Sequence, residues 1–258
     1  SYRLYQNMIK STLVADQEIE YLEIGKGPTL LFLHGAFSSF RFYKPLLTKL
    51  AVKYRILAPV LPGMGRSEKI KEESAQGILS YYLNILNAFI SQKIKSDDFI
   101  IVGHSLGGYL GLKLVTEYDI KPRRIITINS PSHSLEHYYL RTIKGWSGVT
   151  FEHLRHIKSI GLKNLVPFDV WNMMFLRPVQ FYKIFKTLDS LKEFNKVNKK
   201  LSILTIFSSE DDTYVPHEHA LNLAALFPEA RLVSIKKGGH AWFYYDDKAL
   251  IKELINKR

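Results

Sequence analysis

From Glu18 to Ile24, charged and apolar residues alternate with a period of two, the pattern of a strand with one face buried and the other in water. The mixed polarity before it, up to Ala15, fits a first strand at a sheet edge. Gly25-Lys26-Gly27-Pro28 turns the chain, and Thr29-Leu30-Leu31-Phe32-Leu33 is then apolar throughout, ending at His34-Gly35-Ala36. Such a run predicts a strand covered on both faces. The helical spacing of Leu46, Leu47 and Leu50 predicts a helix over 42–53. A strand over 54–60 follows, with Leu61-Pro62-Gly63-Met64-Gly65-Arg66-Ser67 at its end.

The rhythm then repeats. Leu79, Tyr82, Leu83, Leu86, Phe89 and Ile90 form one stripe of a helix over 78–93, and 99–102 is a buried strand. A helix over 106–118 and a strand over 124–129 continue the series. Between 132 and 200 the alternation breaks: Gly145, Gly148, Gly161, Pro167 and Pro178 interrupt short amphipathic runs rich in aromatic residues and Lys. This stretch is too apolar for a linker and too long for a simple loop, so it reads as a helical insertion, a lid over one edge of the sheet. A strand over 201–207, a helix over 217–227, a strand over 231–235 and a helix over 246–255 resume the pattern. Strands this apolar, alternating with helices, predict an α/β fold with a mostly parallel sheet and helices on both faces. The expected division is a core of residues 1–131 and 201–258 with a cap of 132–200.

Composition narrows the classes. The chain of 258 residues is 46% hydrophobic and 23% charged, as globular proteins are. No apolar run approaches the roughly 18 residues that span a bilayer. With no cysteine, disulfides, thiolate metal sites and a cysteine nucleophile are excluded. The formal charge of +12 attracts anionic surfaces in general. The Lys and Arg residues are dispersed and no nucleic-acid-binding signature gathers them, so nucleic acid is not expected as a partner, whereas peripheral contact with anionic membrane remains compatible. The chain opens at Ser1 without a Met or a charged-then-apolar leader, which leaves N-terminal processing open and favours the cytoplasm.

Chemistry gathers at strand ends. Gly103-His104-Ser105-Leu106-Gly107 is a G-x-S-x-G pentapeptide between a predicted strand and a predicted helix, which suits a serine exposed at a strained turn. A serine hydroxyl needs an adjacent base, and the base needs an orienting group. His240, in Gly238-Gly239-His240 after the last predicted strand, is the candidate base. Glu210, Asp211 and Asp212, after the preceding strand, are the candidate acids. His133, His137, His153 and His156 raise a metal site as an alternative, but no carboxylate-rich pattern accompanies them. Trp146, Phe151, Phe168, Trp171, Phe175 and Phe181 make the insertion apolar, which favours a hydrophobic acyl or alcohol group as ligand.

On His34-Gly35-Ala36, Gly63-Met64-Gly65-Arg66-Ser67, Gly103-His104-Ser105-Leu106-Gly107-Gly108, Asp212 with Val215-Pro216, and Gly238-Gly239-His240, the chain resembles the α/β-hydrolase superfamily, in its lidded serine esterase and lipase type. The resemblance runs from Glu18 to the last helix and is faintest in the insertion. It implies a doubly wound, mostly parallel eight-stranded sheet with a helical cap inserted after the sixth strand. It also implies Ser105 as nucleophile, His240 as base and Asp212 as the orienting acid, since the family commonly sets that acid two residues before a Val-Pro pair. The backbone N–H groups of Ala36 and Leu106 take the place of the family's oxyanion hole. His34 and His104 correspond to residues that shape or flank the site.

One position departs from the family pattern. Val60 stands where members often carry Asp, which puts a structural hydrogen bond in doubt. Ser105 itself disfavours the alkyl-enzyme chemistry of dehalogenases and epoxide hydrolases, which use Asp there. The implied activity is cleavage of carboxylic esters with apolar acyl groups through an acyl-enzyme, on a small-molecule substrate and without a cofactor. Thioesterase, lactonase, C–C bond hydrolase and acyltransferase activities, or a non-catalytic ligand-binding role, are the alternatives on the same scaffold.

Overall fold

The computed structural model describes residues 7–135, 176–194 and 201–256. Its eight strands are β1 (Ile9–Val14), β2 (Gln17–Ile24), β3 (Thr29–Leu33), β4 (Arg55–Pro59), β5 (Phe99–His104), β6 (Arg124–Ile128), β7 (Leu204–Ser209) and β8 (Arg231–Ile235). The described α-helices are α1 (Lys44–Leu50), α2 (Ala75–Lys93), α3 (Leu106–Glu117), α4 (Pro178–Leu188), α5 (Glu218–Leu226) and α6 (Lys248–Ile251). No described helix is long and apolar enough to cross a membrane.

The strands form one sheet in the order β1-β2-β4-β3-β5-β6-β7-β8. β1 pairs antiparallel with β2 and β2 with β4, and every other pairing is parallel. The expected doubly wound, mostly parallel eight-stranded sheet is therefore present. β5 and β7 are buried along their whole length, while the edge strands β1 and β8 are partly exposed. This is why the central strands read as unbroken apolar runs and β1 does not.

Boundaries shift where local chemistry overrides the hydrophobic period. The helix expected over 42–53 contracts to α1, with Pro45 in its first turn and Tyr43 turned inward as a buried side chain. α2 starts earlier than its apolar stripe, because Ser74 caps it by accepting from the Gly77 N–H at 3.0 Å. β7 begins at Leu204, where pairing with Ile125 of β6 sets in. The final helix divides into α6 and a π-helical turn, Lys252–Asn256. Glu253 of that turn is buried and accepts from Arg124 of β6 and Arg231 of β8.

Val60 has no polar side chain for the hydrogen bond put in doubt at this position, and the loop is held through its main chain. Val60 is buried, and the loop after β4 is pinned by Ser67, whose hydroxyl donates to the Val60 carbonyl (2.8 Å) and accepts from the Glu20 N–H (3.0 Å).

Candidate functional site

Ser105 joins β5 to α3 at φ 53°, ψ −123°, a conformation that L-residues rarely adopt. Three backbone bonds hold it there. The Ser105 N–H donates to the Ile128 carbonyl (2.8 Å), and the Ser105 carbonyl accepts from Gly108 (3.0 Å) and Tyr109 (3.2 Å). A Cβ on Gly107 would lie 2.1 Å from the Leu33 carbonyl oxygen, so only glycine lets the start of α3 run against the end of β3. That approach brings the loop after β3 to the serine: a Cβ on Gly35 would lie 3.2 Å from the Ser105 Cβ. Leu106 is the first residue of α3, so its N–H has no intrahelical acceptor. Among the described residues, no group accepts from the N–H of either Ala36 or Leu106.

At the ends of β7 and β8 the structure separates the three candidate acids. Asp212 is 5% exposed; its Oδ2 lies 2.7 Å from His240 Nδ1, and its Oδ1 accepts from the N–H groups of Tyr214 (2.8 Å) and Val215 (3.0 Å). Both carboxylate oxygens are thus engaged, and His240 Nε2 is left as the basic nitrogen. Asp211 turns elsewhere. It accepts from the Ser209 hydroxyl (2.6 Å) and from the N–H groups of Gly239 (2.8 Å) and Gly238 (3.2 Å). Partial burial pushes its carboxyl up, but these hydrogen bonds outweigh that and hold it below its ordinary value. Glu210 is exposed.

Two residues that sequence reasoning missed, Asn129 and Tyr43, complete the setting together with His104. Asn129, at φ 45° just past β6, donates from Nδ2 to the carbonyls of Gly239 (3.1 Å) and His240 (2.8 Å), and accepts from the Ser209 N–H (2.9 Å). The signal for it is an Asn directly after a strand and before Ser-Pro, where αL backbone is common. His104 Nε2 donates to the same His240 carbonyl (2.9 Å), and its Nδ1 lies 2.7 Å from the Tyr43 hydroxyl. Nothing in the local sequence of Tyr43 marks it beyond an aromatic at a helix start.

Burial sets the protonation of these groups. Burial, with the nearby His240 adding to it, holds the His104 imidazole well below its ordinary value. Burial likewise takes His34 down to about 4 and pushes the Tyr43 phenol up to about 12. His34 is a loop strut: its Nε2 accepts from the Leu61 N–H (3.0 Å) and its Nδ1 donates to the Gly35 carbonyl (2.8 Å).

Of the four histidines considered for a metal, His137, His153 and His156 lie outside the described residues, and the His133 ring packs 4.3 Å from that of His219. Among the described residues no group of three or more His, Asp or Glu is arranged to hold a metal. Trp146, Phe151, Phe168, Trp171 and Phe175 also lie outside. Phe181 of α4 packs on Phe37 at 4.7 Å, and Phe185 on the same ring at 4.8 Å, which seats α4 against the loop that carries Ala36.

Known proteins share this frame. The chain is 25% identical over 238 residues to the uncharacterized hydrolase YugF of Bacillus subtilis, covering 82% of this chain and 83% of that one. Among solved structures, it is similar to the enol-lactonase of Burkholderia xenovorans LB400, with a TM-score of 0.75 and 16% identity, over 96% of this chain and 98% of that one. It is also similar to the esterase RhEst1 of Rhodococcus sp. ECU1013, with a TM-score of 0.72 and 15% identity over the same shares. At such identities the structural likeness establishes the fold alone. A model of the Alpha/beta hydrolase family matches residues 30–253, and with the sheet order and elbow described above, the chain belongs to that family.

Proposed function

We propose that the chain is a serine hydrolase that cleaves carboxylic esters with apolar acyl groups through an acyl-enzyme. The observation that carries this reading is the 2.7 Å pair of His240 and Asp212, in a loop bound to the residue that precedes a strained Ser105. The Ser105 hydroxyl attacks the ester carbonyl while His240 Nε2 takes its proton. Asp212 holds the tautomer and stabilises the imidazolium. The negative oxygen of the tetrahedral intermediate lies toward the Ala36 and Leu106 N–H groups, each worth about 2.7–4 kcal/mol by analogy with oxyanion donors elsewhere. Collapse breaks the bond to the alcohol, which leaves with the proton from His240. Water then repeats the sequence and frees the acid. Of the expected cap, α4 packs through Phe181 on Phe37 beside this centre, which supports a cap on this side of the sheet.

Labelling of the intact protein with a fluorophosphonate, read by mass spectrometry, tests the assignment. The expected result is one adduct at Ser105, lost together with turnover in Ser105→Ala, and full esterase activity in that variant overturns it. A panel of nitrophenyl esters, acyl thioesters and lactones then tests the bond: preference for a thioester or lactone keeps the serine and overturns the ester class.

A further inference from the structure

His104 is not needed for proton transfer to or from Ser105, yet it is 3% exposed, makes two hydrogen bonds and lies between the oxyanion loop and the base. Its protons follow from its partners. The His240 carbonyl can only accept, so His104 Nε2 carries a hydrogen. On the other side, the Tyr43 oxygen lies 2.9 Å from the Gly35 N–H, which can only donate. That oxygen therefore receives the Gly35 proton and directs its own hydroxyl proton to His104 Nδ1 at 2.7 Å. Ser38, 3.4 Å from the same oxygen, is drawn the other way because its hydroxyl donates to the Gly35 carbonyl at 2.8 Å. The result is a one-way chain from Gly35 N–H through Tyr43 and His104 to the His240 carbonyl, with a donor and an acceptor matched at every link.

A second proton on His104 would break this order. Tyr43 would then face two donors, Gly35 N–H and His104 Nδ1–H. The His104 and His240 rings are 4.5 Å apart between centroids, and two imidazolium charges at that separation repel each other. Phe243, whose ring lies 5.0 Å from that of His104, offers no compensating charge.

We infer that His104, fixed in its neutral Nε2–H tautomer by the Tyr43 hydroxyl, is a positioning residue that ties the oxyanion loop and the nucleophile elbow to the main chain of the base. Because the same imidazole ring accepts at one end and donates at the other, a shift of Gly35 is passed to His240 through three hydrogen bonds. The strut also leaves His240 as the one imidazole of the pair that charges during turnover. This inference rests on the proposed role of His240 and adds the residues that hold it.

The test uses the full chain in three forms: wild type, Tyr43→Phe, which removes one oxygen atom, and His104→Gln, which keeps one donor and one acceptor but cannot titrate. In histidine-labelled wild type, ¹⁵N NMR is expected to find Nε2 protonated and Nδ1 bare from about pH 7.5 to about pH 5.5, across the range where an ordinary histidine near about 6.5 titrates. Tyr43→Phe is expected to mix the tautomers and to slow fluorophosphonate labelling of Ser105 by about ten- to a hundredfold, with KM for a nitrophenyl ester changed by less than about twofold and His104→Gln within about fivefold of wild type. A proton on Nδ1 in the wild type, or labelling of Tyr43→Phe at the wild-type rate, overturns the inference. If Tyr43→Phe does not fold, His104→Met, with neither bond, takes its place, and labelling as fast as His104→Gln overturns the inference equally. Wild type that folds but never labels defeats the hydrolase reading instead, and the tautomer measurement, which needs no activity, separates the two failures.

Discussion

Replacing Ser105 by glycine should make the protein more stable than replacing it by alanine, although both remove the proposed nucleophile. At φ 53° and ψ −123°, Ser105 shares its φ with the left-handed helical well but lies far from that well in ψ. Strained residues of this kind cost about 1–3 kcal/mol, and a ψ so far from any L-residue minimum places Ser105 near the upper end, at about 3 kcal/mol. Alanine keeps the Cβ and therefore the strain. Glycine removes it, but loses about 0.7 kcal/mol to the greater entropy of the unfolded chain and about 0.8 kcal/mol for the lost burial of one carbon. The difference favours glycine by about 1.5 kcal/mol. Urea unfolding of the two variants, with equal m-values, measures it directly. In thermal unfolding the same difference amounts to about 3–6 °C for a chain of this size. A glycine variant no more stable than the alanine variant would show that the turn at Ser105 is not strained and that the sheet imposes no costly backbone on its serine.

Three other perturbations probe the same frame. Ala at Gly107 should cost more than about 3 kcal/mol, because its Cβ would meet the Leu33 and His34 carbonyl oxygens at 2.1 and 2.6 Å, which are backbone and cannot turn away. Ala at Gly108 should cost less, since its closest contact, at 1.8 Å, is the Ser130 hydroxyl, which can rotate, and its nearest backbone oxygen, of Gly103, lies at 2.9 Å; equal urea midpoints for the two variants would refute this. His34, taken down to about 4 when folded against an unfolded value near about 6.5, contributes stability that is complete above the unfolded value and is lost as pH falls from about 6.5 to about 4, by about 3 kcal/mol in all. His104 adds in the same direction. Denaturant unfolding across this range should therefore show a flatter acid limb for His34→Gln than for wild type, and parallel limbs would count against it. Asp211→Asn should cost about 1–2 kcal/mol and lower kcat, since one amide oxygen replaces a carboxylate that accepts from Ser209, Gly238 and Gly239; unchanged unfolding and turnover would remove Asp211 from the support of the base loop.

The central strands were legible because they bury side chains on both faces and read as short apolar runs such as Thr29–Leu33, bounded by turn residues. The helix ends were less legible, since Ser74 and Pro45 set them through single local bonds and ring geometry that no hydrophobic period records. The candidate site divides the same way. Ser105, Asp212 and His240 stand in patterned surroundings of glycines and a Val-Pro pair, so residue type and order point to them. Asp211 and Asp212 differ by one position in sequence, and only the turn at the end of β7 sends one carboxylate to the Gly238 and Gly239 N–H groups and the other to the His240 ring. Tyr43 and Asn129 act on groups 61 and 111 positions away, and partnerships of that range exist only once the sheet has been assembled.

The strand order explains why those distant partners are needed. Ser105 follows β5, and His240 follows β8, three strands away across β6 and β7. At about 4.8 Å between strands the base loop must travel roughly 14 Å back across the sheet edge. Only Lys236 to His240 are available for it, five residues that reach roughly 17 Å when fully extended. Strand pairing ends at Ile235, Gly238 and Gly239 turn the chain at positive φ, and a 3-10 helix begins only at Gly239, so side-chain bonds must help to place the imidazole. Each strand end it passes supplies a tether: Asp211 after β7 takes the Gly238 and Gly239 N–H groups, Asn129 after β6 takes the Gly239 and His240 carbonyls, and His104 at the end of β5 takes the His240 carbonyl again. Strand by strand, the loop exchanges the ladder bonds it lacks for side-chain bonds of the same polarity, N–H groups first and carbonyls later. Asn129 and Asp211 are thus consequences of the topology. A parallel sheet that sets the proposed nucleophile and base three strands apart leaves the base loop to be held by a polar group at each intervening strand end, whatever the substrate.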